Sequence, residues 1–219
     1  MARTRFLRWT ERLLWWSGAL LLGWCAAVVA ESRVYQIFAG RSLDRMREDR
    51  GENTRPVSPL PGAGGAESAG ETASSGGPPA EAPEPAPRAG GLIGRLKVPR
   101  IGLSVIVLEG DNSRDLRLGI GHIPGTPFPW ESGNAALAGH RDTFLRPLRG
   151  VHDGDRVEVA TPRETYHYVV DSIRIVSPDD VGVLASTEAS SLTLVTCYPF
   201  YYVGNAPKRF VVRARRVDG

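Results

Sequence analysis

The chain has 219 residues and a formal net charge of +3, room for one domain of ordinary size plus appendages. From Leu92 onward sixteen Lys and Arg face fourteen Asp and Glu, so this part lacks the concentrated basic face that nucleic-acid binding needs. Only two cysteines occur, Cys25 and Cys197, with no CxxC pair, which argues against a structural zinc site.

Residues 1–12 carry Arg3, Arg5, Arg8 and Arg12 against Glu11. Residues 13–30 are an uncharged run that makes a helix of about 27 Å, long enough to span a bilayer. Trp15, Trp16 and Trp24 suit its interfacial ends or a lipid-facing surface. Arginines ahead of the span place the N-terminus in the cytoplasm and the remainder outside. The competing reading is a cleaved signal peptide ending at Val28-Val29-Ala30, although the apolar run is long for one. In the juxtamembrane segment 31–50, Val34, Ile37, Phe38 and Met46 fall near helical spacing, which predicts a short helix with no site on it.

Residues 51–91 hold eight prolines and nine glycines and no aromatic residue. Such a stretch buries too little apolar surface to offset its ordering entropy and reads as a disordered linker. As a coil it spans about 35 Å.

The folded domain is expected over 92–219. Its apolar runs are short, often β-branched and separated by turn residues. They predict strands at 95–98, 104–108, 135–138, 156–160, 165–176, 192–196 and 209–217, with a helical turn at 143–148. Gly133-Asn134, Asp153-Gly154 and Gly204-Asn205 are among the turn markers. Many short strands with little helix point to a closed barrel or a sandwich.

A peptide transferase needs a nucleophile, a general acid and a donor for the oxyanion. Cys197 closes the run Leu192-Thr193-Leu194-Val195-Thr196 where a strand meets a loop, open to a substrate; the alternative is a buried core cysteine. His140 follows Leu137-Ala138-Gly139, where an apolar run meets Arg141 and Asp142. Gly139 would let the backbone pass close to a neighbour. Asp142 either orients the imidazole or pairs with Arg141, and the histidine itself is either catalytic or structural. His122, expected in a loop, His152 and His167 are weaker candidates. Arg209 enters the last strand ahead of Phe210, Val211 and Val212, where it either stabilises a thiolate and an oxyanion or faces solvent.

These pieces together resemble the sortase family, whose members carry a histidine after a short strand, a TLxTC-type segment and an arginine entering the final strand. Here that order is His140, then Thr193-Leu194-Val195-Thr196-Cys197, then Arg209-Phe210, with 57 residues from His to Cys and 12 from Cys to Arg. Val98-Pro99-Arg100-Ile101-Gly102 and Gly121-His122-Ile123-Pro124-Gly125-Thr126 agree with the same family, and the wording around Cys197 is most like class D, with class E the other reading. The resemblance implies an all-β fold, a closed eight-stranded barrel with short helical turns, behind one transmembrane helix. It implies a cysteine transpeptidase: Cys197 cleaves a sorting motif of a secreted protein through a thioester, and an amine acceptor at the cell surface resolves it. His140 is then the acid/base, Arg209 the clamp and oxyanion donor, and Thr196 and Tyr198 touch substrate. Phe200, Tyr201 and Tyr202 either wall the cleft or pack the barrel. No cofactor or metal is expected. Leu60-Pro61-Gly62-Ala63-Gly64 in the linker resembles the LPxTG sorting signal with Ala63 for threonine; chance in a Pro/Gly/Ala tract is the simpler reading. An exported L,D-transpeptidase fits less well, because Thr196 precedes Cys197 where that family has a Ser-His-Gly-Cys type run. A non-catalytic barrel that binds surface proteins is the remaining alternative.

Overall fold

The structure, a computed structural model, describes residues 2–53 and 86–217. The linker expected over 51–91, with its Leu60–Gly64 stretch, falls mostly outside them. Helix α1 runs unbroken over Ala2–Asn53, about 78 Å at the α-helical rise. Within it lies the one described helix long and apolar enough to cross a membrane, by length and composition.

Eight strands follow: β1 Leu92–Val98, β2 Leu103–Glu109, β3 Ile120–His122, β4 Asn134–Gly139, β5 Arg156–Ala160, β6 Thr165–Val176, β7 Ser191–Tyr198 and β8 Lys208–Val217. They close into a barrel in the order β1-β2-β3-β4-β7-β8-β6-β5. Closure leaves no exposed sheet edge. Side chains alternate across each strand, and Leu96, Val105, Leu137, Val159, Tyr168, Leu194 and Val212 fill the interior. The Tyr168 hydroxyl donates to the Pro129 carbonyl at 3.2 Å, and burial raises its pKa.

The sequence pattern missed β3, because three residues are too few for an alternation to register. His122, expected in a loop, is the last residue of that strand and is buried. Its ring is hydrogen-bonded to Glu109 at 2.7 Å and to the Pro127 carbonyl at 3.0 Å, and it stacks on Phe128. The helical turn expected at 143–148 is a 3₁₀ turn at Arg146–Gly150. Asn134, taken as part of a turn, opens β4; only Gly133, at φ 113°, turns.

The juxtamembrane segment differs most from expectation. It continues α1, and Val34, Ile37, Phe38 and Met46 are exposed on it. The buried face is instead Ala39 and Leu43, and Tyr35 and Ala39 pack with Ile106, Leu108, Leu92 and Leu118. Gln36 sits on the same side. It donates to the Leu118 carbonyl at 2.5 Å and accepts from the Ile106 N–H at 3.0 Å. Arg47, three turns on, donates to the Thr161 carbonyl at 2.9 Å and to the Thr165 hydroxyl at 2.8 Å. Asp44 pairs with Arg95 at 3.5 Å. The helix therefore docks on the barrel wall around β1 and β2. Around the ring of eight strands, β8 lies opposite β2.

Arg100, in the 3₁₀ turn between β1 and β2, clasps buried Asp155 ahead of β5 through both carboxylate oxygens and donates to the Gly150 carbonyl at 2.5 Å. The His152 N–H adds a bond to Asp155 at 2.8 Å. The hydrogen bond from Arg100 is the main cause that holds the Asp155 pKa below its ordinary value.

Two tests follow from this packing. A carboxylate with a depressed folded-state pKa contributes stability that is present above its unfolded pKa and lost as pH falls through the folded value. Melting curves should therefore show stability falling below pH about 4, and Asp155→Asn should flatten that slope while lowering the Tm at neutral pH. Leu43→Ala should weaken helix docking by about 2–5 kcal/mol. Amide exchange should then quicken over residues 35–50 and stay slow in β7 and β8; unchanged exchange in the helix would contradict the docking.

Candidate active site

Three adjacent strands carry the sequence-predicted residues. β4 pairs with β7 in parallel, with Gly139 opposite Thr196, and β7 pairs with β8 antiparallel, with Cys197 opposite Arg209. Leu192, Leu194, Phe210, Val212 and Ala214 point into the core. Alternation then turns Thr193, Val195 and Cys197 of β7 outward, and with them Arg209, Val211 and Arg213 of β8. On β4, Ala135 and Leu137 point inward, so Ala136 and Ala138 lie on the outer face. His140 follows Gly139 directly, level with Cys197 by that register. The site is thus one row across three strand ends: His140, Cys197, Arg209.

Cys197 is half-buried and a free thiol; Cys25, on α1, is exposed and free. His140 is exposed at the rim. Gly139 is needed beneath it, since a Cβ there would lie 2.8–2.9 Å from Ile120 and Leu145 side-chain atoms. Arg209 is half-buried, and its guanidinium donates to the carbonyls of Ala206 at 3.3 Å and Lys208 at 3.1 Å. These bonds hold its head at the base of the loop over 199–207.

Thr196 turns away from this row. Its buried hydroxyl donates to the Gly139 carbonyl at 2.7 Å, so it ties β7 to β4 directly under the His140–Cys197 pair. Tyr198 stacks on Phe210 and meets Phe200 edge-on. It packs with Phe200 against the core, whereas Tyr201 and Tyr202 are exposed on the loop. Asp142 is exposed and has no hydrogen bond to His140. Its neighbour Arg141 turns instead to the β7–β8 loop and donates to the carbonyls of Tyr202 at 2.7 Å and Gly204 at 3.1 Å. Arg149 reaches the Tyr201 hydroxyl in the same loop.

Arg141 and Asn134 carry site geometry that the sequence did not single out. Buried Asn134 donates to the carbonyls of Val183 at 3.1 Å and Ala185 at 3.2 Å, and accepts from Thr193 at 2.7 Å. It pins the β6–β7 loop (177–190) against the outer face of the sheet. Both contacts join segments some fifty residues or more apart, with no local pattern to reveal them. Among the described residues no cluster of three or more His, Cys, Asp and Glu is placed to hold a metal.

A closed eight-stranded barrel with a thiol, an imidazole and a guanidinium in one row on its wall defines the class: a β-barrel with the groups of a cysteine acyl-transfer enzyme. Residues 96–217 match the sortase-domain family profile, and the chain belongs to the sortase family, whose members are cysteine transpeptidases. It is 36% identical over 132 residues to Sortase D of Bacillus subtilis strain 168, covering 60% of this chain and 67% of that protein. It is 27% identical over 125 residues to Sortase A of Bacillus anthracis, covering 55% of this chain and 58% of that one. Among solved structures it is similar to the Clostridium perfringens Sortase D5 transpeptidase, with a TM-score of 0.56 and 27% identity, covering 61% of this chain and 83% of that one. The class D resemblance read from the Cys197 segment agrees with these, and the L,D-transpeptidase alternative falls away.

Arg141→Ala should release the β7–β8 loop. Amide exchange over 200–205 should rise several-fold while β7 and β8 keep their protection. Unchanged exchange in the loop would show that Arg141 does not restrain it.

Proposed function

We propose that this chain is a membrane-anchored sortase that cleaves an LPxTG-like motif in secreted proteins and transfers the acyl group to an amine at the cell surface. The observation that carries the reading is the shared outer row of His140, Cys197 and Arg209, held by the β4–β7 and β7–β8 registers. The thiolate of Cys197 attacks the scissile carbonyl carbon. Arg209 donates to the oxyanion of the tetrahedral intermediate. As the C–N bond breaks, the His140 imidazolium protonates the leaving amine, and a thioester remains on Cys197. An acceptor amine then attacks the thioester, His140 takes its proton, and the C–S bond breaks to restore the thiolate. Ala138 and Val195, half-buried and paired on the same outer face as Cys197, offer an apolar surface suited to the leucine and proline of such a motif.

Residues 13–30 of α1 cross the bilayer in this reading, with residues 1–12 in the cytoplasm and the barrel outside, near the membrane-proximal end of an exported substrate. The partners are secreted proteins bearing the motif and an amine of the wall or of another protein.

Full-length protein in detergent, given LPxTG-like peptides and an amine nucleophile, should yield the new amide by mass spectrometry. Cys197→Ala should abolish it. His140→Ala should lower kcat/KM by about 10²–10⁴-fold and Arg209→Ala by about 10²–10³-fold. Product that survives Cys197→Ala would rule out the proposed nucleophile, and no product from any peptide would favour the binding-barrel reading.

A further inference from the structure

The docked helix fixes which end of the barrel meets the bilayer. When residues 13–30 cross it, Tyr35 and Gln36 stand five and six residues beyond the apolar run, about 8–9 Å at the helical rise. The headgroup layer on each side of the hydrocarbon is about 5–8 Å deep. Because α1 is unbroken across this point and is tied to the barrel through Gln36, Asp44 and Arg47, whatever packs on Tyr35 and Gln36 is held at that height. What packs there is the connection between β2 and β3, with its short helix α2, Asp115–Leu118. Gln36 bonds the Leu118 carbonyl, Tyr35 packs with Leu118 and Leu92, and Arg114 and Asp115 lie within electrostatic reach of Tyr35. Residues 86–91 join this end, where the Gly90 N–H donates to the Glu109 carbonyl at 2.7 Å. The opposite end of the docked segment, at Arg47, meets the β5–β6 turn instead.

We propose that this end of the barrel rests on the outer headgroups of the bilayer and binds anionic lipid. The proposal rests on residues 13–30 as the membrane anchor. Arg33, Arg88, Arg114 and Arg117 are exposed here, and none has a side-chain hydrogen bond or ion pair among the described residues. Asp115 is buried and held by Asn112, which leaves Glu31 and Asp111 as the exposed acids of this end. Four guanidinium groups against two carboxylates favour an anionic surface, and a lipid phosphate takes a guanidinium in bidentate contact. An apolar set lies beside them: Val34, Ile37 and Phe38 are 64%, 55% and 69% exposed on the face of α1 that the barrel leaves open. Helical side chains lean toward the N-terminus, so these three lean toward the bilayer, where apolar groups beside basic ones suit the interface. The contact orients the barrel and adds nothing to the chemical step.

The test places full-length protein in lipid nanodiscs of phosphatidylcholine alone or with a third phosphatidylglycerol, and follows amide exchange by mass spectrometry. Exchange over residues 111–118 should slow by roughly 3–10-fold in the anionic discs, an electrostatic gain that shrinks with added salt. Arg114→Glu/Arg117→Glu should abolish that difference, Arg114→Lys/Arg117→Lys should retain it, and Arg156→Glu, on β5, should leave it unchanged. Slow exchange in β7 and β8 of each variant checks that the barrel is folded. Equal exchange over 111–118 in both discs, with residues 13–30 protected, would overturn the lipid contact and leave the anchor intact. Rapid exchange of residues 13–30 in both discs would overturn the anchor and the contact with it. Protection over 111–118 that follows the number of copies per disc and ignores lipid charge would assign this surface to a second copy of the chain and overturn the lipid contact.

Discussion

The hydrogen bond from the Thr196 hydroxyl to the Gly139 carbonyl crosses from β7 to β4 one residue before Cys197 and one residue before His140. It is buried, so water does not compete for either partner. Parallel pairing brings these two strand ends out at the same level, and the antiparallel β8 returns Arg209 beside Cys197. Three groups 57 and 12 residues apart in the chain thereby stand in one row without any loop having to position them. Gly139 is part of the same constraint, since the core packs against the place where its side chain would be.

Loops complete the site once the strands have set it. Arg141 ties the β7–β8 loop to the histidine end of β4, and Asn134 ties the β6–β7 loop to the other end of the same strand. β4 and the residues that follow it thus hold both loops. The docked helix lies by β1 and β2, across the barrel from β8. Its attachment through Gln36, Asp44 and Arg47 leaves the row of His140, Cys197 and Arg209 uncovered. Because α1 continues unbroken into the apolar run, docking would set the height and facing of that row relative to a bilayer.

Much of the barrel was legible because half-buried strands alternate: β5 and β6 match their expected bounds, and β1, β2, β4, β7 and β8 differ only at their ends. β3 was not, because three residues with a glycine at their centre carry no period. The buried side of the juxtamembrane helix was misread for a different reason. Ile37 and Phe38 face outward, while Tyr35, Ala39 and Leu43 with polar Gln36 make the contact, so the apolar residues singled out pointed to the wrong face. At the site, the positions of Cys197, His140 and Arg209 followed from strand-end patterns and family resemblance. The burial of Thr196, the turn of Tyr198 into the aromatic cluster and the reach of Arg141 across 61 residues depend on tertiary register, which local sequence does not encode.

The most direct test of Cys197 as an acyl carrier is to trap the covalent intermediate. Full-length protein mixed with a motif peptide in the absence of an amine acceptor, then quenched in acid, would be digested and its Cys197 peptide weighed. A mass increase equal to the acyl half of the substrate, removed by hydroxylamine and absent in Cys197→Ala, is the expected result. Cleavage of the peptide with no adduct on Cys197 at any quench time, and with hydroxylamine failing to capture the acyl half, would contradict it.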